Sequence, residues 1–409
     1  MGCLILAGES IYLFAYDLRR DYTKPLLDAL QINNTSLGQL SAMFGVLALI
    51  CYFPGGWVAD RFSARKLLVF SLVTTGALGL GLQTFPPFGG LLALYAAMGI
   101  TSILTFWGAL VKATRQWGGK KDQGKAFGIL DGGRGLVSAL VASTALTTFA
   151  QFGAPIAGLR AVISLYVGAC WLAALMVWFG VPEPEGDDAV GPENHRAGHT
   201  LREVIRMPVV WLQALIILTA YCAYWGTFDI SGYAVDAYGR SETGAAAVST
   251  FAVWLRPGAA IIGGFLADRL TASRVVAGSF ALLVAAFVSF ALVPPSDATG
   301  FMLWVNAGAI GLGAYTLRGV YFAILQEANV PMRLTGTAVG VVSLIGYSPD
   351  VFLPPLSGYL IDTLHVTGHR IMFGGLAATS AVGMAAALLV SRYAERGVEQ
   401  EPPPMVELT

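Results

Sequence analysis

Ten charged residues of this 409-residue chain stand inside otherwise apolar stretches of sequence. A charged group in apolar surroundings is costly unless it is paired, neutralised or kept for a function. Arginine presents paired N–H donors that match carboxylate, phosphate or sulfonate groups, and a carboxylate binds and releases a proton. The pattern therefore predicts anion recognition together with proton binding. The bases are Arg20, Lys112, Arg134, Arg256 and Arg318, and the acids are Glu9, Asp17, Asp131, Asp229 and Asp350.

The composition places these charges in a membrane protein. Apolar residues make up 56% of the chain and charged residues 12%, and the mean hydropathy is +0.65. In soluble domains roughly 45–50% of the residues are apolar and about 25% are charged. So little charge excludes a soluble enzyme and a disordered chain, and the balance of 25 basic against 25 acidic residues excludes a nucleic-acid binder. The four cysteines show no paired spacing, so we expect neither a disulfide framework nor a metal centre.

Twelve stretches are long and apolar enough to cross a bilayer core of roughly 30 Å, which takes about 20 residues per helix. They lie at about 3–26, 36–58, 67–86, 90–112, 125–149, 160–181, 209–233, 244–266, 274–294, 300–325, 335–361 and 370–392. The first stretch begins almost at Met1 without a small-residue cleavage site, so we expect a retained membrane anchor. The predicted fold class is an all-α membrane protein with twelve transmembrane helices.

The basic residues predict the orientation in the membrane, and the polar stretches predict the domain boundaries. With the N-terminus inside, the cytoplasmic links and tail hold fifteen Lys and Arg residues and the outer links hold three. Since cytoplasmic loops are enriched in these residues, both termini are expected in the cytoplasm. The expected domains are an N-terminal bundle (1–181), a cytoplasmic linker (182–206), a C-terminal bundle (207–395) and a cytoplasmic tail (396–409).

Two short motifs occur once in each half of the chain. Residues 56–66 read GWVADRFSARK and residues 264–274 read GFLADRLTASR, 208 positions later. A second pair, GKAFG at 124–128 and GTAVG at 336–340, repeats after 212 positions. Two different motifs with nearly the same offset predict two homologous six-helix halves in parallel orientation.

The G-x-x-x-D-R-x-x-x-R pattern resembles the signature loop of the major facilitator superfamily, although Ser63 and Thr271 stand where that loop usually has glycine. The resemblance implies two pseudo-symmetric six-helix bundles that open a central cavity alternately to either side of the membrane. Glycine in such a loop lets two helices approach, aspartate caps the next helix, and the basic pair contacts lipid headgroups. The signature residues are Gly56, Asp60, Arg61 and Arg65 in the first loop and Gly264, Asp268 and Arg269 in the second.

Within the superfamily the chain most resembles the organophosphate:phosphate antiporters and related organic-anion carriers. Three stretches carry this resemblance, at 16–22 (YDLRRDY), at 128–134 and at 335–362. It implies a small organic anion as the transported solute.

The resemblance also assigns individual binding residues. The family's phosphate-binding arginine of helix 1 falls at Arg19 or Arg20, and its helix-5 histidine falls at Arg134. The family's partner arginine of helix 7 falls near Tyr224 or Trp225, and this chain has no arginine there. The chain therefore departs from the family at one of the positions that recognise phosphate.

Helical spacing favours Arg20 over Arg19 as the residue that faces the cavity. At about 100° per residue, Tyr16 and Arg20 each fall within about 20° of Glu9, whereas Arg19 lies about 80° from Glu9. The alternative is that residues 17–24 lie in the outer headgroup region.

Three further arginines are expected at depths compatible with one cavity. Counted from the cytoplasmic loops at about 1.5 Å per residue, Arg256, Arg134 and Arg318 lie roughly 18, 14 and 12 Å into the membrane. The alternative for each is an ion pair that serves packing alone. The expected substrate-binding residues are Arg20, Arg134, Arg256, Arg318, Tyr16, Tyr224 and Trp225.

Buried carboxylates are the candidates for coupling and gating. Asp350 lies in a helix interrupted by prolines and is the first candidate for a residue that binds the coupling proton. The alternative is a fixed partner such as Arg318 or Arg256. Asp131 and Arg134 share a helix face, either as a substrate-sensitive pair or as a static salt bridge. The expected gating residues also include Glu9 and, near the outer end of helix 7, Asp229.

The sequence contains no nucleophilic triad, Walker loop or nucleotide fingerprint, so we expect neither an enzyme nor a cofactor. The leading hypothesis is a secondary carrier for a small organic anion, coupled to protons or to anion exchange, in the bacterial inner membrane. A proton-driven exporter of amphipathic drugs is the alternative, disfavoured because helix 5 has no proline, and a non-transporting ligand sensor is a third. The expected partners are the anionic solute, lipid and protons, with no metal and no nucleic acid, and the expected state is a monomer.

Overall fold

The computed structural model of the protein describes residues 1–118, 123–152, 154–182, 202–327 and 332–399. Within these residues the backbone is helical apart from short turns, and no β-strand occurs. Most of the predicted linker, the end of the predicted tail and the side chain of Asp60 lie outside the described residues. The all-α prediction is confirmed for the part of the chain that is described.

Each half contributes six spans, and each span matches one predicted stretch with its ends shifted by a few residues. In the N-terminal half they are α1 (residues 2–30), α2 (Asn34–Arg61), α3 (Ala64–Gln83), α4 (residues 88–118), α5 (Gln123–Ala150) and α6 (Pro155–Gly180). In the C-terminal half they are α7 (residues 208–236), α8 (Glu242–Arg269), α9 (Ala272–Leu292), α10 (residues 300–327), α11 (residues 332–364) and α12 (Val366–Glu399).

The helices α2 and α8 show the repeat at the level of local structure. Each has 28 residues, and each contains a proline, Pro54 or Pro257. The side chain of Asn33 caps α2 by accepting a backbone N–H at 2.9 Å, and Ser241 caps α8 in the same way at 3.1 Å. Capping side chains of this kind satisfy free N–H groups at a helix start. The two caps lie 208 positions apart, as the signature loops do.

The first span is broken, which corrects the prediction of one continuous helix at 3–26. Eleven of the described helices are long and apolar enough to cross a membrane, and α1 supplies the twelfth span in pieces. A π-helical turn shifts the register of the side chains and is a common device at functional sites. The charged run that follows the turn needs polar partners, which sets α1 apart from the other spans. The pieces are Gly2–Ser10, the π turn Leu13–Asp17, Leu18–Asp21 and Thr23–Leu30.

Four other spans also depart from regular α-helix. Such irregular turns leave backbone groups that neighbouring helices or a wet cavity must satisfy. The break in α11 lies just before Pro349, where an interrupted helix was expected. The departures are a π turn at Thr101–Trp107 in α4, 3₁₀ turns at Gly226–Phe228 in α7 and Tyr321–Ala323 in α10, and the break between Gly346 and Pro349 in α11.

The halves keep separate apolar cores and meet along two helix pairs. One large core cluster is built from residues between Val204 and Val390. The clusters of the N-terminal half lie between Leu4 and Val181, apart from Ala246 of α8, and a small cluster of Ala139, Ala142 and Val253 joins α5 to α8. Across the interface α2 packs against α11, and α5 packs against α8. This arrangement suits two bundles that move as bodies.

The contact between α2 and α11 brings their backbones together at the end of the molecule opposite the loops 56–66 and 264–274. We call the end with those loops the signature end, and the other the opposite end. A Cβ atom on Gly38 would overlap the Pro354 backbone, and one on Gly358 would overlap the Asn34 backbone. Glycine is therefore required for this close approach.

A carboxylate strengthens this contact across the halves. Asp362 of α11 accepts four hydrogen bonds from the start of α2, namely from the Asn34 backbone (3.0 Å) and side chain (2.9 Å) and from the Thr35 backbone (2.7 Å) and hydroxyl (2.6 Å). A negative charge at a helix N-terminus is favourable because free N–H groups point at it. Asp362 therefore joins α11 to the start of α2 where the opposite end is closed, a contact that the sequence analysis did not assign.

Replacing Asp362 tests this closure. We expect Asp362→Asn to reduce the closed population several-fold, because the charge-assisted bonds to α2 are lost. Double electron–electron resonance between spin labels at Gln151→Cys and Arg240→Cys, in a background without the four native cysteines, measures the opening at this end. Asp28→Asn, an exposed acid at the same end, is the matched control. Equal distance distributions in Asp362→Asn and the control would contradict the assignment.

Candidate functional site

A cavity of about 230 Å³ lies between the two halves. One side of it is formed by α1, α2, α4 and α5, and the other by α7, α8, α10 and α11. Aromatic side chains form much of the lining, and Arg134, Arg256 and Arg318 all reach it. Three of the four arginines predicted to bind substrate therefore share one cavity.

The cavity is closed toward the opposite end. A Cβ atom on Gly45 of α2 would overlap Asp350 of α11, so the two helices touch at this level. The lining continues toward the signature end, through Tyr52 of α2 and Ser343 of α11. The hollow therefore lies on the signature-end side of the closure between the halves.

The carboxylate of Glu9 on α1 bridges two of the arginines. Arg256 on α8 donates from Nη1 to Oε1 at 2.7 Å and from Nη2 to Oε2 at 3.3 Å. Arg134 on α5 approaches the same carboxylate, with Nε 3.4 Å from Oε2. Glu9 is 4% exposed and Arg134 7% exposed, and Arg256 is partly buried, so the three groups form a largely buried triad with two positive charges and one negative. Because Arg256 belongs to the other half, the triad also links the halves.

The third cavity arginine, Arg318 on α10, has a different environment. Among the described residues no carboxylate oxygen lies within 4.0 Å of its guanidinium group. The guanidinium lies over the ring of Tyr224, 4.2 Å from the ring centre. The hydroxyls of Tyr321 and Tyr347 lie 3.4 Å apart on the same side of the cavity. A guanidinium with tyrosine hydroxyls nearby offers several donors to an anion.

Asp350 on α11 is held by neutral donors from both halves. The indole Nε1 of Trp225 donates to Oδ1 at 2.8 Å, and the hydroxyls of Tyr16 (3.0 Å) and Tyr221 (3.2 Å) donate to Oδ2. Asp350 is 7% exposed and lines the cavity. No base among the described residues forms a salt bridge with it, so the alternative of a fixed arginine partner does not hold there. The arrangement brings together the predicted residues Tyr16, Trp225 and Asp350.

Arg20 does not line the cavity, which corrects the expectation from helical spacing. Its guanidinium is 2% exposed and is held by Asp17 (2.8 Å) and Asp21 (2.9 Å) of its own segment. The hydroxyl of Ser249 on α8 donates to Asp21 at 2.5 Å, so the group joins the two halves. The π turn before residue 18 shifts the register that the spacing assumed, and Arg20 becomes part of the closure instead.

Arg19 also lies outside the central cavity. It donates to Ser41 of α2 at 2.8 Å, and its guanidinium lies 5.1 Å from the centre of the Trp225 ring. It reaches a small void of about 10 Å³ near the opposite end, beside Asp229. The resemblance that places an anion-binding arginine at Arg19 or Arg20 therefore does not match the position of either side chain.

The other predicted gating residues lie at the edges of the site. Asp229 of α7 is buried toward the opposite end, as expected, and accepts both of its hydrogen bonds from Ser357 at 3.0 Å. Asp131 of α5 has a side chain that is 60% exposed, with Oδ1 3.6 Å from Nη1 of Arg134. Of the two acids near Arg134, Glu9 is therefore the buried one.

The signature residues lie at the signature end and form stacking contacts. Arg61 lies over Trp57, 4.0 Å from the ring centre, and Arg269 lies over Phe265 at 4.3 Å. Arg65 lies over the ring of Trp178 in the same way, at 4.9 Å. A Cβ atom added to Gly56 or to Gly264 would lie more than 4 Å from any atom of a neighbouring helix in the described part of the chain.

The cap of α9 differs from the expected one. Asp268 is exposed and lies within the last turn of α8, three residues before Thr271. Thr271, and not Asp268, is the N-cap residue of α9. The backbone N–H of Ser273 instead donates to Glu327 of α10 at 2.8 Å, and Thr271 accepts a bond from the Arg274 backbone. In the first half, Lys112 of α4 donates to the backbone carbonyl of Ala59 at 2.8 Å. These contacts tie each loop to the neighbouring span.

Comparison with known proteins gives the same architecture. Residues 1–354 match the sequence model of the Major Facilitator Superfamily. The inner membrane protein YqcE of Escherichia coli (strain K12) is 29% identical over 397 residues, covering 94% of this chain and 92% of that protein. The inner membrane protein YihN of the same strain is 27% identical over 413 residues, covering 97% and 96%. A bacterial homologue of the human lysosomal transporter Spinster, solved in an inward-facing and occupied conformation, has a TM-score of 0.75 at 17% identity, covering 98% and 97%.

Two more distant relatives are named for organic acids. The probable galactarate/D-glucarate transporter GarP of Escherichia coli (strain K12) is 21% identical over 387 residues, covering 86% of each chain. The cis,cis-muconate transport protein of Acinetobacter baylyi is 24% identical over 385 residues, covering 87% of this chain and 85% of that protein. All three acids are dicarboxylates.

The triad around Glu9 predicts a large effect of removing one arginine. Replacing Arg256 by Gln leaves the buried Glu9 with the longer contact to Arg134 alone, and breaking a buried pair costs about 3 kcal/mol. We expect Arg256→Gln to lower the midpoint of thermal unfolding in detergent by several degrees. Arg269→Gln, an exposed arginine on the same helix, serves as the control and should leave the midpoint unchanged. Identical midpoints for the two variants would show that the triad does not stabilise the fold.

Proposed function

Since the chain belongs to the Major Facilitator Superfamily and is a membrane transporter, we propose that it carries a small organic anion by secondary transport. The cavity between the halves is the transport site in this proposal. The two bundles expose it first to one side of the membrane and then to the other. The energy comes from a proton gradient or from exchange of one anion for another.

The environment of Arg318 is the observation that supports an anionic solute most strongly. A guanidinium inside a membrane protein is expensive unless a negative group or water satisfies its donors. Since no described carboxylate pairs with Arg318, a solute carboxylate, phosphate or sulfonate would supply the missing partner. The planar guanidinium binds such a group through two parallel N–H donors. The ring of Tyr224 positions the guanidinium from the other side.

The contacts across the interface support an alternating mechanism. Each bundle has its own apolar core, so the bundles can rock without repacking. The closure at the opposite end includes polar contacts, among them the bonds from the start of α2 to Asp362 of α11 and the bond from Ser249 to Asp21. Polar contacts of this kind exchange with water at modest net cost, whereas an apolar interface would not. Opening of the opposite end requires both contacts to break.

The chemistry of Asp350 supports coupling to protons. Trp225 is a donor only, so its bond to Oδ1 persists whether or not the carboxyl group is protonated. The tyrosine hydroxyls at Oδ2 can turn to accept a bond, so a proton on Oδ2 finds a partner in Tyr16 or Tyr221. Since Tyr16 belongs to the other half, its bond to Asp350 changes when the halves move. A proton on Asp350 also removes a negative charge from the cavity that receives the anion.

The relatives and the basic residues support the solute class and the orientation. The names galactarate/D-glucarate transporter and cis,cis-muconate transport protein belong to carriers of small organic acids. The excess of Lys and Arg in one set of loops supports an orientation with the signature end in the cytoplasm. In this orientation the structure represents an inward-facing state, with the cavity closed to the outside.

Uptake into proteoliposomes tests the anion proposal. We expect accumulation of at least one labelled acid from a panel of sugar acids, dicarboxylates and sugar phosphates. Arg318→Gln should lower that uptake about tenfold or more, since a charge-assisted hydrogen bond contributes about 1.5–3 kcal/mol. Arg318→Lys should retain part of it, and Arg240→Gln, an exposed arginine at the opposite end, should retain all of it. Equal uptake by Arg318→Gln and the parent protein would contradict the proposal.

A second experiment tests the coupling role of Asp350. We expect a pH gradient, acid outside, to stimulate uptake by the parent protein and to have no effect on Asp350→Asn, which binds no proton at this position. Asp350→Asn should still exchange labelled for unlabelled anion, because exchange needs no net proton movement. Asp131→Asn, at a mostly exposed acid, is the control and should respond to the gradient as the parent does. A normal response of Asp350→Asn would assign the coupling to another group.

A further inference from the structure

The three arginines of the cavity are not equivalent. Arg134 and Arg256 share the carboxylate of Glu9, whereas Arg318 has no carboxylate partner among the described residues. Glu9 is 4% exposed and lines the cavity beside both of its partners. It therefore occupies the place where a negative group of a solute would bind to these two arginines.

The pairing of the cavity charges follows from this arrangement. Asp17 also lines the cavity, but it shares Arg20 with Asp21 and does not contact the lining arginines. Glu9 is bonded to Arg256 and lies against Arg134, and Asp350 is held by neutral donors, so Arg318 is the lining arginine without a carboxylate partner among the described residues. A solute with one negative group at Arg318 supplies that partner. A second negative group would have to displace Glu9 from its two arginines or depend on a proton at Asp350.

We propose that Glu9 is a built-in anion that occupies the Arg134–Arg256 pair, so that the transported solute is a monoanion whose single acidic group binds at Arg318. This inference rests on the proposed function, since it names the solute class of the same site. It separates this chain from its relatives named for dicarboxylates. Glu9 is thus a residue that determines specificity by competing with a second acidic group.

The position of Glu9 supports this role over a purely structural one. The bidentate bond from Arg256 crosses between the halves, at the level where both halves line the cavity. Asp131 could neutralise Arg134, but its side chain is 60% exposed and lies 3.6 Å away. Glu9 is therefore the acid whose removal frees two cavity arginines together.

Binding of matched acids to the purified full-length protein in nanodiscs tests the inference. The probes are two pairs that differ by one carboxylate, D-gluconate with D-glucarate and sorbate with trans,trans-muconate, and affinity is taken from the dose dependence of the thermal shift. The parent protein should prefer the monoanion of a pair. Glu9→Gln should shift the ratio of affinities toward the dianion about tenfold, because the freed arginines gain a charge-assisted bond.

Stability provides the second readout in case Glu9→Gln is less stable than the parent. The dianion should restore more of the lost stability than the monoanion does, since it replaces the missing carboxylate. Glu9→Asp, which keeps a carboxylate, and Asp28→Asn, at an exposed acid outside the cavity, are the controls and should keep the preference of the parent. If acids bind but the ratio is the same in Glu9→Gln and in the parent, the inference fails while the proposed function stands. If no acid in either pair binds to the parent or to any variant, the inference fails together with its premise.

Discussion

The arrangement of the cavity between the halves depends on the one carboxylate that Glu9 places between two arginines. Two guanidinium groups from different halves would repel each other in the interior of the membrane, and the desolvation cost would fall on both. Glu9 relieves this cost with bonds of 2.7 and 3.3 Å to Arg256 and a contact of 3.4 Å to Arg134. Among the described residues, no carboxylate pairs with the third cavity arginine, Arg318. The proposal of an anionic solute follows from this unpaired guanidinium group.

The sequence repeat accounts for the matching architecture of the two halves, and the irregular turns within the helices account for the differences between them. Both halves share signature loops and capped 28-residue helices at one offset. The helices α1, α4, α7 and α10 all depart from regular α-helix near the cavity, but only α1 carries a π turn followed by a dense run of charges. Arg20, with Asp17 of the turn and Asp21, contributes to the contact between the halves, while Glu9 before the turn and Tyr16 within it line the cavity. One span therefore contributes both to the contact between the halves and to the cavity.

Much of the fold could be predicted from the sequence, because hydropathy and the basic loops indicate the membrane-spanning helices and the repeat indicates the symmetry. The cavity positions of Arg134, Arg256 and Arg318 followed from depth, which needs only regular helices. The position of Arg20 did not, because the π turn in α1 changes the register that spacing assumes. The partners of Asp350 and the cap formed by Asp362 also could not be predicted, since they join helices more than 120 positions apart.

The most direct test of the anion site is to locate a bound anion. A crystal structure of the protein with 3-bromopropionate, recorded at the bromine absorption edge, gives the position of the ligand without reference to function. We expect an anomalous peak inside the central cavity, with the carboxylate on Arg318 and Glu9 still bound to its two arginines. A cavity without the ligand, with Arg318 turned to a protein carboxylate or toward lipid, would contradict the account.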